Sequence, residues 1–319
     1  MAKADVQKLI ERMAMPAIAA PMFLVSNPAL TLACCSEGIM GSFPAHGTRS
    51  REEFQAWLDE MVAGVKRLED GGIKPAPWAV NLVVHASNPR YPGDLELVEK
   101  YKVPVVLTSK GAPGDAIKRI HGWGAVALHD IANRRHAEKA LEAGVDGVIA
   151  VAGGAGGHTG TINPFALMNE VRQLGDHFAV VLAGGQTTGR DVLAAEAMGA
   201  DLAYIGTRFL ATPEAMILDT RATDVFLTAS IDGAPANWLT PSLLAAGIDL
   251  DVLRTTLPGK VVAAQENKKR WKDIYTAGHG VGNIDDIPTA AELCRRLVEQ
   301  YREARRAPVI PLHDGASMD

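Results

Sequence analysis

Aromatic side chains make up only 5% of the 319 residues. The chain therefore lacks the Trp, Tyr and Phe from which base-stacking surfaces are built. Cysteine is scarce: Cys34, Cys35 and Cys294 form neither a disulfide framework nor a metal-ligand spacing, which points to a reducing, cytoplasmic setting. The nine histidines are scattered, with no His-x-x-x-His or Cys-x-x-Cys, so no metal site is expected. No Gly-x-Ser-x-Gly elbow offers a hydrolytic nucleophile. No secretory pattern opens the chain and no 18-residue apolar run occurs, so no membrane segment is expected. Positive charge is not in excess either. A net charge of −5 supplies no field for nucleic acid or anionic lipid.

What the chain does have is small apolar residues, 47% of it being hydrophobic. Short runs of them recur as expected strands: Ala17–Met22, Ile39–Pro44, Trp78–Val84, Val103–Ser109, Ala125–Asp130, Gly147–Ala152, Ala179–Gly185 and Leu202–Phe209. They are nearly all apolar rather than alternating, as in parallel strands buried on both faces. Between them lie helix signals. Asn27-Pro28 provides a cap followed by proline at the first helical position, and Gly38 a stop. Ser50-x-x-Glu53 reads as a capping box that opens a long helix ending at Gly71-Gly72. Adjacent Cys34 and Cys35 fall in an apolar helix and read as core.

The stretch Glu142-Ala-Gly-Val-Asp-Gly-Val-Ile-Ala150 is echoed by Glu196-Ala-Met-Gly-Ala-Asp-Leu-Ala-Tyr-Ile205. Both read as a helix end, a Gly stop, Asp, then a strand. Eight such units predict a (β/α)8 barrel with its site at the C-terminal ends of the strands. A doubly wound open sheet is the competing layout, but it wants a glycine signature near the first strand, where Ala19-Ala-Pro-Met22 stands. Residues 213–286 break the pattern with Pro213, Pro235, Trp238, Pro241, Pro258 and the basic run Lys268-Lys-Arg270. They read as a small, partly helical insertion over the barrel mouth. Residues 1–212 and 287–319 then make up the barrel, closed by an amphipathic helix over Pro288–Arg306.

Two glycine clusters carry chemistry. Gly153-Gly-Ala-Gly-Gly-His-Thr-Gly160 follows the sixth strand and displays one ionisable side chain, His158, where proton transfer or anion contact is open to it. Gly184 and Gly185 after the seventh strand, and Gly206 and Thr207 after the eighth, occupy the usual phosphate position of barrels, with a helix beginning after Thr187-Thr-Gly-Arg-Asp191.

Taken together, Pro16-x-x-x-x-Pro-Met22, Val80-Asn81, Ala155-Gly-Gly-His-Thr-Gly160, Ala183-Gly-Gly185, Ile205-Gly-Thr-Arg-Phe209 and Tyr275-Thr-Ala-Gly-His-Gly-Val-Gly282 make the chain resemble the FMN-dependent nitronate monooxygenases, along most of its length. The resemblance implies a barrel with a small second domain and FMN at its mouth. Ala20, Pro21 and Met22 would lie along the flavin, with Asn81 hydrogen-bonding near it and Gly156 and Gly157 packing by it. Ala183, Gly184, Gly185, Gly206 and Thr207 would hold the phosphate, and Thr276 to Gly280, including Gly278 and His279, would close over the ring. His158 would be the catalytic histidine.

The chain also departs from the family pattern. Val151 and Gly154 stand where a polar residue and an acid are common, Asp130 where a Lys or another polar group is, and His279 where Gln is. The implied reaction is oxidation of a nitronate, or of a nitroalkane if His158 removes its α proton, with O2 to a carbonyl compound and nitrite. Two other classes stay open: an FMN-dependent reductase of quinones or enoyl thioesters fed by NAD(P)H, and a non-catalytic phosphate-ligand barrel. A homodimer stays open as well.

Of the remaining polar residues, Lys110 reads as solvated or phosphate-facing rather than as a Schiff-base lysine. Asp130 is expected at the mouth as a cofactor contact, with His129 beside it. His85 is a weaker candidate for the pocket, and His136 belongs to a solvated helix face. Trp238 and Trp271 are either aromatics of the cover or core of the small domain.

Overall fold

A computed structural model describes residues 3–210, 221–257, 260–262 and 274–306. Its strands, in chain order, are β1 (Ala17–Ala19), β2 (Gly41–Pro44), β3 (Trp78–Val83), β4 (Val105–Ser109), β5 (Val126–Ile131), β6 (Gly147–Val151), β7 (Gly157–His158), β8 (Ala179–Ala183), β9 (Leu202–Ile205), β10 (Val225–Thr228) and β11 (Ala236–Leu239). Eight form one parallel sheet in the order β1-β9-β8-β6-β5-β4-β3-β2. A parallel bridge between Ile18 and Met40 joins its two edges. The architecture is a (β/α)8 barrel.

Period-two alternation sorts the side chains of these strands into two layers. Ile18, Met40, Leu107, Leu128, Ile149, Val181 and Leu202 fill the interior, where Val6, Leu9, Ile10 and Met13 of the N-terminal segment join them. Val80, Val106, Ala127, Val148, Val180 and Ala203 face the helices. Fully burying one such side chain stabilises the fold by about 1.5–3 kcal/mol, so apolar runs without alternation are what this sheet requires.

The helix signals operate with one change. Asn27 accepts the Leu30 N–H at the start of Pro28–Ser36, and both Cys34 and Cys35 are buried in that helix. Ser50 accepts the Glu53 N–H at the start of Arg51–Asp70. The Glu53 carboxylate, however, returns to the Arg49 N–H rather than to the cap residue itself.

Several strands are shorter than the apolar runs that announced them, for backbone reasons. Pro21 and Pro104 have no N–H for a ladder, so β1 stops at Ala19 and β4 starts at Val105. Gly184 and Gly185, at φ +131° and +84°, turn the chain out of β8. Thr207–Phe209 is a turn of 3-10 helix instead of the end of β9.

The stretch expected to be partly helical contains a sheet. β10 and β11 pair antiparallel, and β11 pairs in turn with β7, Ala236 opposite His158. The helices Thr240–Ala245 and Leu250–Thr255 follow. Periodicity hid the two strands because they are four residues long, and the second lies between Pro235 and Pro241. Ile231, Ala236, Trp238, Leu243, Ile248, Leu253 and Ile274 form their own apolar cluster, so Trp238 is core. Pro213, Pro258, the basic run Lys268-Lys-Arg270 and Trp271 lie outside the described residues. No helix among the described residues is long and apolar enough to cross a membrane.

Candidate active site at the C-terminal ends of the barrel strands

A cavity of about 550 Å³ opens where the barrel strands end, within the size range of small-ligand and cofactor sites. Residues from strand ends and from the loops that follow them meet there although most are far apart in sequence. Ala20, Pro21, Met22, Asn81, Asp130, Gly156, Gly157, His158, Ala183, Gly184, Gly185, Gly206, Thr207 and Thr276 all line it. Gly278 and His279 do not; they stand behind the glycine-rich turn. The Gly278 N–H donates to Thr207 Oγ1 (2.8 Å), and the His279 N–H donates to the Gly154 carbonyl (2.9 Å).

That bracing explains Gly156. A Cβ on it would come within 2.8 Å of the Gly278 nitrogen and 3.0 Å of the Ala277 carbonyl carbon, so only glycine lets the two segments touch. Asn237 adds a clamp from β11, donating to the Ala155 carbonyl at 2.7 Å.

The side of the cavity beside β8 and β9 has the shape of a cradle. Gly185, at φ +84°, has no atom within 4 Å of where a Cβ would sit, and at Gly206 the nearest neighbours are Ala20 Cβ (3.6 Å) and Met22 Sδ (4.0 Å). Thr207 Oγ1 spends a lone pair on Gly278, which leaves its own proton to donate. The helix expected to point at a phosphate has several of its first N–H groups already engaged. The N–H groups of Thr187 and Thr188 donate to Asp191 Oδ2, both at 2.8 Å. The Gly189 N–H is taken by Gln300 Oε1 at 3.0 Å. The capping box of Thr188 and Asp191, with Gln300 from the last helix, thus occupies three of the donors at this helix start.

Deeper in, Asn81 commits both amide protons to β4, one to the Leu107 carbonyl (3.2 Å) and one to Ser109 Oγ (3.1 Å). Its Oδ1 is left as the polar atom for a ligand. Asp130 Oδ1 and Gln186 Oε1 are buried without a hydrogen-bond partner among the described residues. Both lie in the cavity wall, so a fitting ligand brings hydrogen-bond partners for them. Burial also pushes the Asp130 carboxyl up to about 7. The Tyr204 phenol beside it is held well above its ordinary value, by burial and then by the Asp130 charge. His129 faces away from the cavity and pairs with Thr108 Oγ1 (2.8 Å), and its burial lowers it to about 4. His85 bonds Ser87 and does not line the cavity.

At the mouth, His158 Nε2 lies 2.7 Å from Asp232 Oδ2. Lys110 Nζ is 3.9 Å from the same oxygen. Desolvation lowers the imidazole's affinity for a proton, the Lys110 charge lowers it further, and the bond to Asp232 opposes both. Sequence reading missed Asp232, which is 74 positions from His158 and has no motif. It also missed Phe23, Leu24, Val25, Ser109, Gln186, Tyr204, Leu210 and Ile274 in the wall. The positions of Ser109 and Tyr204 at strand ends were the only available signal.

Fold and cavity thus define a (β/α)8 barrel with a ligand site built by the loops after its strands. A family model described as "Nitronate monooxygenase" matches residues 6–300, and the chain belongs to the nitronate monooxygenase family. It is 31% identical over 341 aligned residues to a nitronate monooxygenase of Neurospora crassa, covering 90% of this chain and 89% of that one. A Rhodococcus jostii protein named (3aS,4S,5R,7aS)-5-hydroxy-7a-methyl-1-oxo-octahydro-1H-indene-4-carboxyl-CoA dehydrogenase is 29% identical over 72% of this chain. Of that relative's own length the match spans 64%. Among solved structures, a nitroalkane oxidase from Streptomyces ansochromogenes superposes with a TM-score of 0.74 at 24% identity, covering 93% of this chain and 99% of that one. It shares the barrel fold.

Proposed function

We propose that this member of an oxidoreductase family binds FMN in the cavity and oxidises alkyl nitronates with O2 to carbonyl compounds and nitrite. The supporting observation is that one cavity joins a cradle open at Gly185 and Gly206 to a histidine paired with a carboxylate. Unpartnered acceptors at Asp130 and Gln186 suit the ring N–H and ribityl hydroxyls of a flavin mononucleotide. When bound, the flavin supplies the electron acceptor. Gly184, Gly185, Gly206 and Thr207 would hold the phosphate, and Ala20, Pro21, Met22, Asn81, Gly156 and Gly157 the ring. His158 would orient the nitro oxygens of a nitronate, or take the α proton of a neutral nitroalkane as a base. Residues 213–286 would form the cover that keeps water out. The three free cysteines, all buried, suit a reducing cytoplasm.

The test is to denature the purified chain and identify the released flavin, then follow anaerobic bleaching by a nitronate. FMN with nitronate bleaching is the expected result, and colourless protein would overturn the reading. The Rhodococcus jostii relative, named as a carboxyl-CoA dehydrogenase, favours a second reading, an FMN-dependent reductase of quinones or enoyl thioesters. Bleaching by NADH and not by nitronate would establish that one instead.

A further inference from the structure

The glycine-rich turn and the β10–β11 hairpin meet at one side-chain contact. Ala236 is in register with His158, so the bend that precedes β11 folds back over the turn and brings Asp232 onto the imidazole. Asp232 Oδ2 lies 2.7 Å from Nε2, and its side chain is 22% exposed against 32% for His158. Lys110 reaches the same oxygen at 3.9 Å from the end of β4. It does so with its backbone at φ +53°, a conformation that costs a non-glycine residue energy and that packing must impose.

We infer that Asp232 is a positioning residue for His158: its carboxylate accepts the Nε2 proton and so fixes the tautomer in which Nδ1 is basic. This rests on the reading of His158 as the residue that handles substrate. In the proton transfer, the α C–H bond of a neutral nitroalkane breaks and an Nδ1–H bond forms. The electron pair stays with the carbon and nitro group as the nitronate, and Asp232 stabilises the resulting imidazolium. No oxidant enters this step. Asp232 and Lys110 are the charged groups that face His158 among the described residues, one from the hairpin and one from the end of β4.

The consequence is a selective requirement. A nitronate has already lost its α proton and needs no base, whereas a neutral nitroalkane needs one. Asp232→Asn separates tautomer control from mere stapling, because asparagine keeps a hydrogen bond but can donate it. Its amide N–H would face Nε2, move the imidazole proton to Nδ1 and remove the basic nitrogen, the effect seen when a triad aspartate becomes asparagine. The experiment uses the flavin-loaded protein with ¹⁵N-labelled histidine. Side-chain nitrogen shifts report the His158 tautomer, and anaerobic flavin reduction is timed with a neutral nitroalkane and with its nitronate.

The expected result is Nε2–H in the parent and in Asp232→Glu, and Nδ1–H in Asp232→Asn. With Asp232→Asn, the neutral substrate should slow roughly 10²–10⁴-fold in kcat, and the nitronate by a clearly smaller factor. Asp232→Glu should recover part of the loss. An unchanged tautomer in Asp232→Asn, or equal loss on both substrates, would overturn the inference and leave Asp232 a staple. The tautomer measurement does not require turnover. A parent protein that fails to oxidise nitronate therefore counts against the proposed function alone.

Discussion

The two ends of the cavity are built by different means. The cradle end, at Gly184–Gly185 and Gly206–Thr207, is backbone from two adjacent strands, and at Gly185 it is open because a side chain is missing. At the mouth end His158 lines the cavity, and it is joined by Asp232 at 2.7 Å, which in turn meets Lys110 at 3.9 Å. A cradle made of backbone depends on shape and is destroyed by adding atoms. A mouth made of side chains depends on charge and tautomer, and is altered by exchanging atoms. The first end suits holding a ligand common to a family; the second can be retuned by single substitutions far apart in the sequence.

The largest expected effect attacks the cradle. Gly206 has φ −103°, which any residue adopts, and there is room for a Cβ. Gly206→Asp should therefore fold, yet place a carboxylate against the phosphate and abolish FMN retention. Flavin released from the denatured variant measures this, and normal content would move the phosphate elsewhere. At the mouth, His158→Asn should keep its flavin and lose roughly 10²–10⁴ in turnover, more with neutral nitroalkane than with nitronate. Equal rates of anaerobic reduction in variant and parent would remove His158 from the chemistry.

Smaller effects sharpen the contrast between shape and charge. The Asp130 carboxyl is raised from its ordinary 3.8 to about 7 by burial, so the folded chain holds this proton more tightly than the unfolded one. Its contribution to stability is then best below pH 4 and falls as pH rises toward 7, staying low above that. Asp130→Asn removes the titration and keeps the shape. It should raise the melting temperature relative to the parent by about 2–4 °C at pH 8, the shift that a kcal/mol makes in a domain of this order, and by less at pH 5. The smallest effect is electrostatic alone. Lys110→Met deletes a charge that opposes protonation of His158 and frees Asp232 for it, so both changes raise the imidazole's affinity for a proton. NMR titration of His158 measures the shift, and a downward one would contradict the geometry.

How much of this was legible in the sequence follows the same division. The eight barrel strands could be located because each is an apolar run that a doubly covered strand requires, and the cap at Asn27 and the hydroxyl of Ser50 act as their residue types dictate. The cradle was legible because Gly184-Gly185 and Gly206-Thr207 are contiguous in sequence. Asp232 was not, since an acid between two short strands carries no periodicity and its partner is 74 positions away. The helix start at Thr188 was legible as a helix start, whereas the engagement of its donors was not. Asp191, three residues on, satisfies the donors that an anion would need.

Local chemistry in the chain by itself therefore determined the barrel, the glycine turns and the single histidine they display. Those features rest on backbone preference and burial, and both act over a few residues. Only the tertiary structure decided which carboxylate holds His158, that Gly278 and His279 brace the turn instead of lining the cavity, and that Asp130 and Gln186 face it with unpartnered oxygens. These outcomes depend on distances between segments, which loop closure and packing set and which no single segment encodes.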